Sequence, residues 1–100
     1  MESNIKEMLH KEIDVLPWSA MVRDFAFGRL YVVGKPWNLV EAAAVLKADN
    51  ARDLKAAMTQ GFFKKPDDDQ AKEWLLHDPL FQVIVMSPFV LIQAIETHQN

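Results

Sequence analysis

The chain has 100 residues, of which 50% are hydrophobic and 25% are charged, with a formal net charge of −3 and no cysteine. A chain of this length and composition forms one globular domain rather than a disordered segment. The absence of cysteine excludes disulfides and zinc–thiolate sites, and the negative charge argues against binding to nucleic acid, whose phosphates attract basic surfaces.

The sequence shows no pattern of a targeting or membrane segment. The N-terminal stretch mixes charges of both signs, and the most apolar stretch, 83–92, has about half the length that a membrane-spanning helix needs. We therefore expect a cytoplasmic protein without membrane or nucleic-acid partners. We also expect residues 1–100 to form a single domain, with frayed ends at 1–3 and 97–100.

The first third of the chain predicts two helices and a strand. Apolar residues recur at four-residue intervals over 4–15, as on one face of an amphipathic helix. Pro17 fits the first turn of a second helix over 17–27, which Gly28 would end. The following segment, 29–33, is β-branched and aromatic and lies between two glycines, which is typical of a strand.

Residues 38–50 are compatible with either a helix or a strand. Asn38 with Glu41 three residues later resembles a helix-capping pair, and three consecutive alanines also favour a helix. Yet apolar residues recur at every second position as well, so a strand here would form a hairpin with 29–33. The residues alone favour the helix slightly.

The second half predicts two more helices and two strands. A helix over 50–61 begins and ends at capping residues, and a short strand at 62–64 follows it. Another helix covers 68–77, and a strand begins at 81 with apolar residues on both faces, which predicts burial from both sides. After Pro88 the chain would form either a new strand or a helical turn.

The last predicted helix has a clear start signal and a defined inner face. Asp67 followed by Gln70 is a capping pair, and Ala71, Trp74 and Leu75 are predicted to point inward. Together the elements predict an α+β fold. In it, a small, mainly antiparallel sheet of about three strands packs with three to four helices.

Several short segments occur in a characteristic order: Asn-Leu-Val-Glu-Ala-Ala, Ala-Asp-Asn, Asp-Asp-Asp-Gln-Ala-Lys-Glu-Trp and Ser-Pro-Phe-Val-Leu-Ile-Gln. Over residues 6–93 this order resembles the bacterial family catalogued as domain of unknown function 2288. Phe89 and Ala42 stand where that family carries Trp and Val, and Trp37 stands where no aromatic residue is expected. The resemblance implies a strand over 39–47, because the family's valines there are typical of strands. It implies no function.

Glu41 is the ionisable residue for which we most expect a function. On a strand over 39–47 it would interrupt an otherwise apolar segment, and such an acid is a candidate for ligand binding. The alternative is a solvent-facing salt bridge with Arg29 on the partner strand.

Two histidines are weaker candidates for a ligand site. His10 shares a helix face with Glu7 and Asp14, a set compatible with a metal ion but without a second histidine. His77 lies at a predicted helix end, where the helix dipole favours imidazolium, and could pair with Glu41 or Asp78. A solvated helix face and a simple helix-end residue are the ordinary interpretations, so we expect no metal site and no cofactor.

Two functions remain open, and an enzyme is the less expected outcome because no nucleophile or phosphate-loop motif is present. The first is a non-enzymatic cytoplasmic interaction protein that self-associates as a homo-oligomer, since a small chain with ten aromatic residues leaves apolar patches. Trp37, in a Lys-Pro-Trp-Asn turn, would anchor such an interface unless it folds onto the core. The second is a small-molecule or metal-binding domain, or a minor enzyme, that uses Glu41 with His77 or His10.

Overall fold

The computed structural model describes residues 2–95 as five α-helices, one short 3₁₀ turn and five strands. Of the predicted frayed ends, residue 1 and residues 97–100 lie outside this range. The helices are α1 (Glu2–Lys11), α2 (Val22–Ala26), α3 (Leu39–Lys47), α4 (Ala51–Gln60) and α5 (Asp68–His77), and the 3₁₀ turn is Trp18–Met21. The strands are β1 (Asp14–Pro17), β2 (Leu30–Val33), β3 (Phe63–Lys64), β4 (Leu80–Met86) and β5 (Phe89–Ala94).

The five strands form one mixed sheet in the order β1-β4-β5-β2-β3. Three neighbouring pairs are antiparallel, and only β2 and β5 run parallel. Ser87 and Pro88 connect β4 to β5, so the chain after Pro88 forms a strand rather than a helical turn. The predicted α+β class is confirmed, but the described residues form five strands rather than about three, and five α-helices rather than three to four.

The predicted helices over 4–15 and 17–27 are both partly wrong. Helix α1 ends at Lys11, and Asp14–Pro17 pairs with β4 as an edge strand. This pairing turns Leu16 toward the buried side of the sheet, and a long-range ladder of this kind overrides weak local helix preference. After Pro17 the chain forms the 3₁₀ turn, and regular helix covers only α2.

The strand implied over 39–47 is also wrong, because this segment is helix α3. The Asn38 Oδ1 atom accepts a hydrogen bond of 2.9 Å from the Glu41 backbone N–H, and Glu41 Oε1 accepts one of 3.0 Å from the Asn38 N–H. This reciprocal capping box satisfies two backbone donors that a helix start otherwise leaves free. No hairpin with β2 forms, and Arg29 pairs with Asp24 at 3.1 Å instead of with Glu41.

The other predicted elements are confirmed. Asn50 caps α4 at its start, and Gly61 ends that helix in the left-handed conformation with φ of 90°. Asp67 and Gln70 form the capping box of α5, with hydrogen bonds of 2.8 and 3.2 Å. The strand signals at 29–33, at 62–64 and from 81 correspond to β2, β3 and β4.

Helices cover both faces of the sheet. On one face, which we call the α3 face, residues of α1, α3 and α4 pack on the sheet; the buried side chains are Leu9, Val33, Leu39, Ala42, Ala43, Ala57, Phe63, Ile84 and Leu91. On the other, the α5 face, the buried side chains are Trp18, Met21, Leu30, Phe81, Val83, Val90 and Ile92, with Phe25, Ala71 and Trp74 packed against them. Neighbouring residues Val83 and Ile84 belong to different faces, so the middle of β4 is buried from both sides, as predicted.

Candidate functional site

Glu41 lies half-buried in the first turn of α3, on the wall of an open groove of about 410 Å³. We call this the α3 groove; its lining includes Lys6, Trp37, Glu41, Ala44, Val45 and Lys47. One oxygen of the Glu41 carboxylate is already engaged, because Oε1 accepts the Asn38 N–H in the capping box. Glu41 therefore contributes to helix stability as well as to the groove.

Trp37 lines the α3 groove and packs against the core at the same time. Its half-buried ring meets the rings of Phe62 and Phe63 edge-to-face, with centroids 5.1 and 6.3 Å away. Its carbonyl oxygen accepts a hydrogen bond of 2.9 Å from Gln93 Nε2. The ring also lines a second open groove with Gln82 and Gln93. The role of Trp37 in an interface stays a prediction.

The structure does not bring the two histidines to Glu41. His77 ends α5, whose inward residues pack on the α5 face, whereas α3 lies on the opposite face. Its Nδ1 lies 3.0 Å from the Glu73 carbonyl oxygen and 3.6 Å from Glu73 Oε2. His10 is exposed on α1, and that helix contributes other residues to the α3 groove.

Metal binding has no cluster of ligands in the part of the chain that the structure describes. Within it, no group of three His, Cys, Asp or Glu side chains is arranged to hold an ion. No helix in this described part of the chain is long and apolar enough to cross a membrane. Among the described residues, the remaining candidates for a binding site are therefore grooves and apolar surfaces.

The most exposed apolar side chains lie on α5. Leu75 is 67% exposed and Leu76 is 80% exposed. Leu75 lines a shallow groove of about 260 Å³, whose apolar lining comes from the 3₁₀ turn, α2 and α5. We call the whole patch the α5 surface; its apolar members are Trp18, Val22, Phe25, Ala71, Leu75 and Leu76.

The prediction that Leu75 points inward is wrong, and the inner face of α5 explains why. The Trp74 ring fills the space between this helix and the sheet, with its centroid 4.9 Å from both the Trp18 and the Phe81 rings. Because Ala71 and the bulky Trp74 are turned inward, Leu75 lies at the rim of the groove. Two adjacent leucines on one helix turn were the sequence signal for this surface.

A smaller apolar area lies on the α3 face, near the β4–β5 turn. Met58 of α4 is 48% exposed there and borders a small groove with Leu46, Leu54, Phe63 and Phe89. These neighbours cover one another in part, since Leu46 and Leu54 are half-buried. This area, the Met58 surface, is therefore less exposed than the α5 surface.

Two comparisons with known proteins gave matches. A family model described as "Protein of unknown function (DUF2288)" matches residues 4–94. The NMR solution structure of PA1075 from Pseudomonas aeruginosa superposes with a TM-score of 0.80 at 31% sequence identity, and covers 98% of this chain and 91% of that one. No curated protein matches the chain. The family description assigns no activity, so function has to be argued from the surfaces described above.

Proposed function

Since this chain belongs to the DUF2288 family of proteins of unknown function, we propose its role from its own surfaces: it is a non-enzymatic interaction protein that self-associates. The observation that supports this is the exposure of Leu75 and Leu76 next to an apolar groove. Burying one leucine side chain contributes roughly 1.5–3 kcal/mol. A partner that covers both residues therefore gains a large part of the free energy of a stable contact.

The partner that we propose is a second copy of this chain in the cytoplasm. The net charge of −3 supports a protein partner over nucleic acid, because phosphates would be repelled by an acidic surface. The lack of cysteine supports a reducing compartment, where disulfides do not persist.

The first test is the oligomeric state of the purified chain. Light scattering coupled to size-exclusion chromatography at micromolar concentration should give a mass near twice the 11.5 kDa of the single chain. The apparent mass should fall toward that of the monomer on dilution, because association follows mass action. A mass of one chain at every concentration would refute self-association.

A second candidate function is binding of a small molecule in the α3 groove, because Glu41 and Trp37, both singled out from the sequence, line it together. The indole ring offers an apolar wall, and charges of both signs line the same groove, Lys6 and Lys47 with Glu41 and Asp53. This combination suits a small aromatic zwitterion, which carries an ammonium group as well as a carboxylate.

Thermal unfolding with the amino acid tryptophan as the probe tests this candidate. At about a hundredfold excess over its dissociation constant, a ligand of the folded state adds about 2.7 kcal/mol of stability. The Lys47→Gln variant should reduce that gain, whereas Lys55→Gln, outside the groove on α4, should leave it unchanged. An equal shift in both variants, or no shift in the wild type, would count against the site.

A further inference from the structure

We propose that the α5 surface joins two copies of this chain across a two-fold axis. This inference rests on the proposed self-association and names the surface and symmetry that it uses. Leu75 lines the groove formed with Trp18, Val22 and Phe25, and Leu76, the next residue of α5, is the more exposed of the two leucines. A projection and a groove on one patch make that patch self-complementary.

Two-fold symmetry follows from this arrangement. In a two-fold contact the same patch is used by both copies, so residue i of one touches residue j of the other and the reverse. Each copy can then place its exposed leucines against the groove of the other. Both sets of leucines are covered in one closed pair, and no further copies are needed to shield them.

The charged residues at the rim of the groove favour an antiparallel arrangement of the two α5 helices in this two-fold contact. Asp68 and Lys72 border the groove and lie one helical turn apart on α5. If two α5 helices meet antiparallel, the order of residues is reversed between them, and the acid of one faces the base of the other. A parallel approach would oppose like charges, which is unfavourable.

Other surfaces are less suited to join two copies. The exposed edge of the sheet at β1 is only four residues long and ends at Pro17, which has no N–H to donate to an added strand. At the Met58 surface, the neighbouring side chains already cover one another in part. Among residues 5–95, Leu75 and Leu76 are the two most exposed large apolar side chains, and Leu75 lines a groove.

A pair of matched variants tests the surface. Leu75→Glu places a charge in the proposed contact, whereas Met58→Glu places the same charge on an exposed helix position of the opposite face. Glu has nearly the helix propensity of Leu and Met, so both variants should fold, which circular dichroism checks. We expect Leu75→Glu to raise the dimer dissociation constant roughly a hundredfold or more, because both copies lose the contact. Met58→Glu should leave that constant unchanged.

Charge exchange tests the antiparallel geometry. Asp68→Lys and Lys72→Asp each create like charges across the two-fold axis, so each variant alone should dimerise at least several-fold more weakly than the wild type. When the two variants are mixed, every acid again faces a base, and analytical ultracentrifugation should show the heterodimer forming with near wild-type affinity. Mixtures that associate no better than either variant alone would overturn the antiparallel contact.

The experiments distinguish failure of the α5 surface as the contact site from failure of self-association itself. A wild-type dimer that Leu75→Glu does not weaken, but Met58→Glu does, retains self-association and overturns the α5 surface as its site. A wild-type chain that is monomeric at all concentrations overturns both.

Discussion

At the scale of single residues, Gly61 is a clear case of a backbone conformation that favours glycine. It ends α4 with φ of 90°, in the left-handed region that residues with a Cβ rarely adopt. An added Cβ would nevertheless meet no atom within 4 Å. The cost of Gly61→Ala is therefore conformational and not steric. We expect it to lower the free energy of unfolding by about 1 kcal/mol.

The control for Gly61→Ala is Gly34→Ala. Gly34 has no positive φ, and its added Cβ would meet Phe62 at 3.7 Å, an ordinary contact. That variant should be neutral or slightly stabilised, because alanine restricts the unfolded chain more than glycine does. Urea denaturation at one fixed protein concentration measures both. Equal stability of wild type and Gly61→Ala would contradict the argument.

The same scale shows what residue reasoning could reach. Glu41 and Trp37 were found from the sequence and do share a groove, but the histidines expected beside Glu41 lie elsewhere. The chemistry of a single residue can be inferred from its type, whereas its neighbours in space depend on how distant segments of the chain pack together. The exposure of Leu75 likewise depends on distant segments, because it follows from the bulk of Trp74 and from its ring partners in other elements.

At the scale of elements, the start of α3 shows how a local signal decided between two folds of the same segment. The capping box of Asn38 and Glu41 was visible in the sequence, and the alternating apolar pattern was visible too. Helix α3 packs on β4 and β5 through Ala42 and Ala43, which are fully buried, so small side chains let it approach the sheet closely. The resemblance to valine-richer relatives pointed the wrong way because both patterns fit an apolar face.

Asn38→Ala tests the contribution of this cap. Loss of the side-chain acceptor leaves the Glu41 N–H without its partner, and we expect the free energy of unfolding to fall by about 1 kcal/mol. Asn38→Ser, which caps helices about as well, should retain most of the stability. Chemical denaturation at fixed concentration compares the three proteins, and an equal loss in both variants would show that the cap contributes little.

The element that sequence reasoning missed altogether is β1. It has four residues, and its partner β4 lies more than sixty residues away along the chain. A strand this short has no periodic pattern of its own, and only the ladder with β4 defines it. The adjoining 3₁₀ turn is fixed in the same way, because the Trp18 N–H donates to the Pro79 carbonyl oxygen at 3.0 Å.

At the scale of the whole molecule, the α+β class followed from alternating helix and strand signals, but the strand order did not. Local patterns define elements, while pairing between β2 and β5 or between β1 and β4 joins segments far apart in sequence. The two-sided burial of β4 was nevertheless predictable, since apolar residues on both faces require cover on both sides. Helices on both faces of the sheet provide that cover here.

The strand order has a consequence for how the chain is made. The central strand β5 and its neighbour β4 are the last two elements described, and they alone connect β1 to β2. During synthesis, the first 79 residues can form helices and the small β2–β3 contact, but they cannot close the sheet. The surfaces of α3 and β2 that pack against β4 and β5 therefore gain this cover only after residues 80–94 have been synthesised. Before that point α1, α3 and α4 can pack on one another, and closure of the sheet is a late step in folding.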